Sequence, residues 1–198
     1  LNSIFGRVNY IYKDRYLATF TARRDGSTKF GPNNQYGFFP SGALAWNIHN
    51  ESFFKSSVVN QLKLRTSIGR TGSDNLTSFS YLTYLNSLPN GGSIYANVNG
   101  IVVSALPNAD IRWEETQQLD FGAEFGLFNN RLTGEVAYFK KKTDGIILFT
   151  PVPSETGTGS YNSNVADVSN NGWEITLGGD IIRGKEFIWH SSFNISFI

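Results

Sequence analysis

The chain has 198 residues, a formal net charge of +1 and only 17% charged residues, so nothing in it points to a nucleic-acid partner. Its mean hydropathy is -0.24 and no apolar run approaches the ~18 residues of a membrane-spanning helix, which excludes a helical membrane protein. Neither Cys nor Met occurs: the first absence removes disulfides and Cys-ligated metals. The second, with no signal peptide ahead of Leu1, reads as a piece of a longer protein.

Eight stretches alternate apolar and polar residues at period two, the signature of a strand with two different faces. The first, roughly Ser3 to Tyr12, sets Ile4, Val8, Tyr10 and Tyr12 against Arg7 and Asn9. Lys13-Asp14-Arg15 forms a polar turn. The second stretch, to about Arg24, sets Tyr16, Ala18, Phe20 and Ala22 against Thr19, Thr21 and Arg23. A loop rich in Gly, Pro and Asn then runs from Asp25 to about Gln35. The third stretch, about Tyr36 to Ile48, shows Leu44, Trp46 and Ile48 on one side. Between Asn50 and Gln61, Ser52-Phe53-Phe54 and Val58-Val59 are expected to form a brief helical turn. The fourth stretch, about Leu62 to Thr71, sets Leu62, Leu64 and Ile68 against Lys63, Arg65 and Ser67.

A long irregular region is expected over about 73–112, with room for a small hairpin. The fifth strand places Leu119, Phe121, Ala123, Phe125 and Leu127 opposite Gln118, Asp120 and Glu124. Only Asn129-Asn130-Arg131 separates it from the sixth, where Leu132, Val136 and Tyr138 oppose Thr133 and Glu135. A second long loop is expected over about 145–171, where Pro151, Pro153 and Gly157-Thr158-Gly159-Ser160 argue against regular structure. The seventh strand, carrying Trp173, Ile175, Leu177 and Ile181, turns through Arg183-Gly184-Lys185-Glu186 into the eighth, Phe187 to Ile198.

Short turns thus alternate with long loops, several strands reach the length that crosses a bilayer, and aromatics (Tyr12, Tyr16, Phe128, Phe187, Trp189) flank the short turns. The expected fold is all-β: an antiparallel, up-and-down transmembrane β-barrel segment. A soluble β-sandwich or small closed barrel, serving as a binding or adhesion module, shares the alternation and stays open as the alternative.

Catalytic constellations are weak. Glu114 and Glu115 are adjacent on a strand and point to opposite faces. His49 and His190 lack the companion spacing of a zinc site, Asp25, Asp74 and Asp110 are scattered, and no Gly-x-Ser-x-Gly elbow occurs. Gly157-Thr158-Gly159-Ser160 lacks the Lys of a phosphate loop. No catalytic residue, metal or cofactor is expected. Tyr81, Tyr84 and Tyr95 are candidates for contact with a substrate or lid, because aromatic faces stack on sugar rings, although the simpler reading is that they pack the loop upon itself. Arg7, Arg23, Lys63, Arg65, Asp120 and Glu124 are expected to form a charged wall facing a watery lumen.

Several segments together resemble the C-terminal barrel region of SusC/RagA-family TonB-dependent outer-membrane transporters, typical of Bacteroidetes. They are Phe5-Gly6-Arg7-Val8-Asn9-Tyr10, Lys13-Asp14-Arg15-Tyr16-Leu17, Arg24-Asp25-Gly26-Ser27-Thr28-Lys29-Phe30-Gly31 and Phe39-Pro40-Ser41. Leu62-Lys63-Leu64-Arg65, Trp113-Glu114-Glu115-Thr116, Phe128-Asn129-Asn130-Arg131-Leu132-Thr133-Gly134, Lys142-Thr143-Asp144 and Asn171-Gly172-Trp173-Glu174 continue the likeness. It implies that residues 1–198 form about eight strands of a 22-stranded barrel in a Gram-negative outer membrane, surrounded by lipid. It also implies a plug and TonB box outside this sequence, energy from the TonB complex, and a SusD-like surface lipoprotein. Oligosaccharides or peptides would be the cargo.

Overall fold

The computed structural model describes residues 2–76, 81–87 and 101–198. Its strands are β1 (Asn2–Tyr12), β2 (Tyr16–Gly26), β3 (Tyr36–Asn47), β4 (Val59–Ser73), β5 (Tyr84–Ser87), β6 (Ile101–Ala105), β7 (Glu114–Leu127), β8 (Leu132–Pro151), β9 (Ser160–Arg183) and β10 (Ile188–Phe197). Eight of them form one antiparallel sheet in the order β1-β2-β3-β4-β7-β8-β9-β10, while β5 and β6 pair separately. Chain order and spatial order agree, so the sheet is an up-and-down meander. Its two end strands are not paired with each other.

The short connections all lie at one end. Lys13 and Asp14 take positive φ of 51° and 53°, the twist that lets adjacent strands reverse without splaying. At the β7–β8 turn Phe128, Asn129 and Asn130 are all left-handed, near 55–57°. Asn tolerates this conformation, and Asn60 braces the turn by accepting the Asn129 backbone N–H at 2.5 Å. The β3–β4 connection contains a short 3-10 turn, but at Ile48–Asn50 instead of the expected Ser52–Val59 stretch, and Val59 already opens β4.

The expected loop over 145–171 is instead mostly a hairpin. β8 runs on to Pro151 and β9 begins at Ser160, with pairs from Ile146–Ala166 to Pro151–Ser160. The β-forming run Ile146-Ile147-Leu148-Phe149 outweighs the breakers, and Pro151 sits at the strand end where its missing N–H does little harm. Gly145, at φ 67°, absorbs a bulge and its N–H donates to Asp167 at 2.9 Å. The 73–112 region does carry a hairpin, β5–β6.

Few described side chains are buried. Phe30, Phe39, Ile111 and Trp113 form one small cluster at the long-loop end, with Phe30 5.0 Å and Phe39 5.5 Å from the Trp113 ring. Asn164 ties it to the β8–β9 hairpin: its side chain donates to the carbonyls of Arg112 and Gly145 and accepts from the Arg112 N–H. Elsewhere, among the described residues, the sheet is a single layer, with Phe5, Phe20, Phe121, Trp173 and Phe193 half exposed or more. A soluble sandwich would need a second sheet over the apolar face. Among the described residues the second sheet has only the two short strands β5 and β6.

Candidate functional site

Register converts alternation into two continuous surfaces. Successive partners Tyr10, Ala18, Leu44, Thr66, Phe121, Tyr138, Trp173 and Phe197 run across all eight strands on one face. The opposite face carries rows such as Asn47, Lys63, Glu124, Glu135 and Thr176. Arg7, Arg23, Lys63, Arg65, Asp120 and Glu124 all fall on this polar face.

Lys63 Nζ lies 3.0 Å from Glu124, and Arg65 Nε lies 3.5 Å from the same carboxylate. Arg65 also pairs with Glu135, two strands away. Glu124 and Glu135 are direct cross-strand partners, and the two cations offset the repulsion that like charges there would produce. Asp120 accepts from Ser67 at 3.1 Å and from Gln118 at 3.1 Å, with no cation within salt-bridge distance among the described residues. Nearer the long-loop end, Arg23 Nε pairs with Asp25 at 2.6 Å and Arg23 Nη2 donates to Ser3 at 3.0 Å. Arg7 donates to Thr21 at 3.2 Å. The result is a hydrophilic surface on which Lys63, Arg65, Glu124 and Glu135 neutralise one another.

The three tyrosines do not form a described group. Tyr81 packs against the Phe30–Trp113 cluster, Tyr84 opens β5 opposite Ala105, and Tyr95 lies outside the described residues. His190 lies 3.0 Å from Asp180, and His49 Nδ1 lies 3.3 Å from the Leu62 backbone nitrogen. Among the described residues no three His, Asp or Glu side chains converge as metal ligands.

Two features are not legible in the sequence. Glu135 shows there as a polar-face residue, but its place beside Glu124 needs the register. The second is Glu51, after the 3-10 turn at the short-turn end. It accepts from the Tyr16 hydroxyl at 2.7 Å and the Trp46 indole N–H at 3.0 Å, and pairs with Arg15 at 3.2 Å. Those two hydrogen bonds first, then the Arg15 charge, hold its carboxyl below the usual carboxylate range against the opposing effect of burial. Nothing in the local sequence around Glu51 signals this.

An open meander with one lipid-compatible face, one wet face and short turns at a single end is the wall of a transmembrane β-barrel. A family model described as TonB dependent receptor-like, beta-barrel matches residues 2–197. The chain therefore belongs to the TonB-dependent receptor β-barrel family, and its strands lie in a Gram-negative outer membrane. It is 39% identical to TonB-dependent receptor P3 of Formosa agariphila, over 99% of this chain and 20% of that protein. It is 36% identical to TonB-dependent receptor SusC of Bacteroides thetaiotaomicron, over 99% of this chain and 20% of that one. The RagAB peptide importer in its closed-closed state superposes with a TM-score of 0.89 at 29% identity, covering 98% of this chain and 21% of that chain. The siderophore receptor PirA from Acinetobacter baumannii, at 17% identity and a TM-score of 0.63, shares the fold. The SusC/RagA resemblance holds, and the chain spans about a fifth of the length of the curated relatives it matches.

Proposed function

We propose that this chain supplies part of the barrel wall of a TonB-energised importer that takes up oligosaccharides or peptides together with a SusD-like surface lipoprotein. The carrying observation is the contrast between the two faces of one sheet: an apolar surface across all eight strands, backed by the neutralised Lys63–Glu124–Arg65–Glu135 ladder. In this reading β1 and β10 pair with further strands of a larger barrel. The polar face, from Arg7 and Arg23 to Asp120 and Glu124, borders the lumen and keeps it hydrated. The long connections and the β8–β9 hairpin stand outside the membrane, where Tyr81, Tyr84 and Tyr95 meet cargo or lid. The wall performs no bond chemistry: cargo moves when a plug, coupled to TonB, opens the lumen.

The test is uptake by cells carrying the full-length protein, supplied with labelled oligosaccharides and labelled peptides. TonB-dependent accumulation of one class, lost when the protein is deleted, supports the proposal; accumulation of neither overturns it. Within that assay, replacing Tyr81 and Tyr84 by Ala should raise the half-saturating cargo concentration if the rings contact cargo, and leave it unchanged if they only pack the loop.

A further inference from the structure

The polar face carries a recess of about 620 Å³ across β2, β3, β4 and β7. It runs from the Ser67–Asp120 cross-strand pair toward Asp25 and Thr116, near the long-loop ends of β2 and β7. Its floor is low, because Ser41 and Ala43 on β3 face Gly69 and Ser67 on β4 as cross-strand partners. Two carboxylates line it, and they differ in one respect. Asp25 is matched by Arg23 at 2.6 Å. Asp120 has no cation within salt-bridge distance among the described residues. Arg65, the nearest lumenal cation down β4, is taken up by Glu124 and Glu135. Lys141 on β8 faces Gln118 as its cross-strand partner and also stops short of Asp120.

Hydrogen bonding decides which group Asp120 can receive. Ser67 Oγ donates to it at 3.1 Å, and the Gln118 amide nitrogen stands 3.1 and 3.2 Å from its two oxygens. The donors of this trio are therefore turned on the carboxylate. What the trio offers a ligand is acceptors: the remaining carboxylate lone pairs, the serine oxygen and the amide carbonyl. Ammonium and guanidinium groups complement such a surface, being cationic and donors only. We infer that Asp120, Ser67 and Gln118 form a lumenal subsite for the cationic group of a peptide cargo, a basic side chain or the amino terminus. Peptide fits better than amino sugar. Sugar rings are held by stacking on an aromatic face, and Phe39, the aromatic ring lining the recess, is only 5% exposed. A charged group on a thin, flexible stem needs no such face. The inference rests on the proposed reading that this side of the sheet borders the lumen of an importer.

The experiment places a single cysteine on the recess floor, Ala43→Cys, in the full-length protein with any other cysteines removed. Its reaction rates with a cationic and an anionic methanethiosulfonate of similar size are compared at low ionic strength. Ala43 lies two strands from Asp120, ~10 Å, where one unit charge in water shifts the ratio of the two rates roughly fourfold. Adding Asp120→Asn should lower the cation preference by that factor, whereas Asp120→Glu should keep it. Asn still accepts from Ser67 and Gln118, so the wall stays intact. Trilysine should protect the cysteine from labelling, and fully acetylated trilysine should not; with Asp120→Asn the protection should be lost. An equal rate ratio with Asp120 and with Asn overturns the inference, as does equal protection by the acetylated peptide. Protection by a glucosamine trimer and not by trilysine overturns the assignment to peptide. Loss of the charge effect with the cysteine still labelled from water fells this inference alone. A cysteine reached by neither reagent fells it together with the lumenal reading of this face.

Discussion

Arg65 on β4 reaches Glu135 on β8 across an intervening strand, and Gly122 makes the crossing possible. Gly122 is the cross-strand partner of Arg65, and a Cβ there would sit 2.8 Å from the Arg65 Nε and 3.0 Å from its Cζ. The guanidinium thus lies over a position that only a missing side chain leaves free.

Gly122→Val should therefore uncouple Arg65 from Glu135. Both side chains are more than a third exposed, so the pair is worth only about 0.5–1 kcal/mol. The check is a double-mutant cycle of Arg65→Met and Glu135→Gln, measured by urea unfolding of the full-length protein in vesicles. A coupling of that size should appear when Gly122 is retained and vanish when the whole cycle is repeated in the Gly122→Val background.

Gly172 should be less forgiving. A Cβ at this β9 position would lie 2.2 Å from the Phe197 carbonyl oxygen, a backbone atom that cannot step aside without moving β10. Gly172→Ala should cost about 1–3 kcal/mol, as overpacking against a fixed neighbour does. Faster amide exchange confined to β9 and β10 would locate the damage; unchanged stability would mean the two strands stand farther apart than this contact requires.

Much of this architecture is legible in the sequence because a membrane wall has so few ways to satisfy its backbone. Alternation assigns Phe121 and Glu124 to opposite faces, and Lys13-Asp14-Arg15 and Asn129-Asn130-Arg131 mark the tight turns. The 145–171 stretch misleads because Pro151, Pro153 and Gly157 carry weight as breakers throughout it. They sit at the hairpin tip, while the pairing of Ile147 with Asn164 and Phe149 with Asn162 depends on a partner that local propensity does not reveal. Glu51 is hidden for the same reason: its partners Tyr16 and Trp46 come from β2 and β3.

Acid should weaken the short-turn rim through Glu51. Its folded pKa is lowered, whereas an unfolded glutamate titrates near ~4.3. Its stabilising contribution is therefore complete above ~4.3 and fades as pH falls through that value to the folded pKa. Glu51→Gln should be less stable than the wild type at neutral pH, and the gap should narrow on acidification. A gap independent of pH between neutrality and strong acid would exclude ionised Glu51 as the anchor.

The central claim is that one face of this sheet meets lipid and the other meets water. The chain itself has no Cys, so single replacements along β7 can be read one at a time in a full-length protein whose other cysteines, if any, are removed. Leu119→Cys, Phe121→Cys and Ala123→Cys should resist a membrane-impermeant maleimide and have their attached spin labels relaxed by oxygen dissolved in the bilayer. Asp120→Cys, Gly122→Cys and Glu124→Cys should show the lumenal pattern, with labels relaxed by a water-soluble nickel chelate. A period of two through all six positions is the predicted result. Six positions with the same aqueous accessibility would contradict the account.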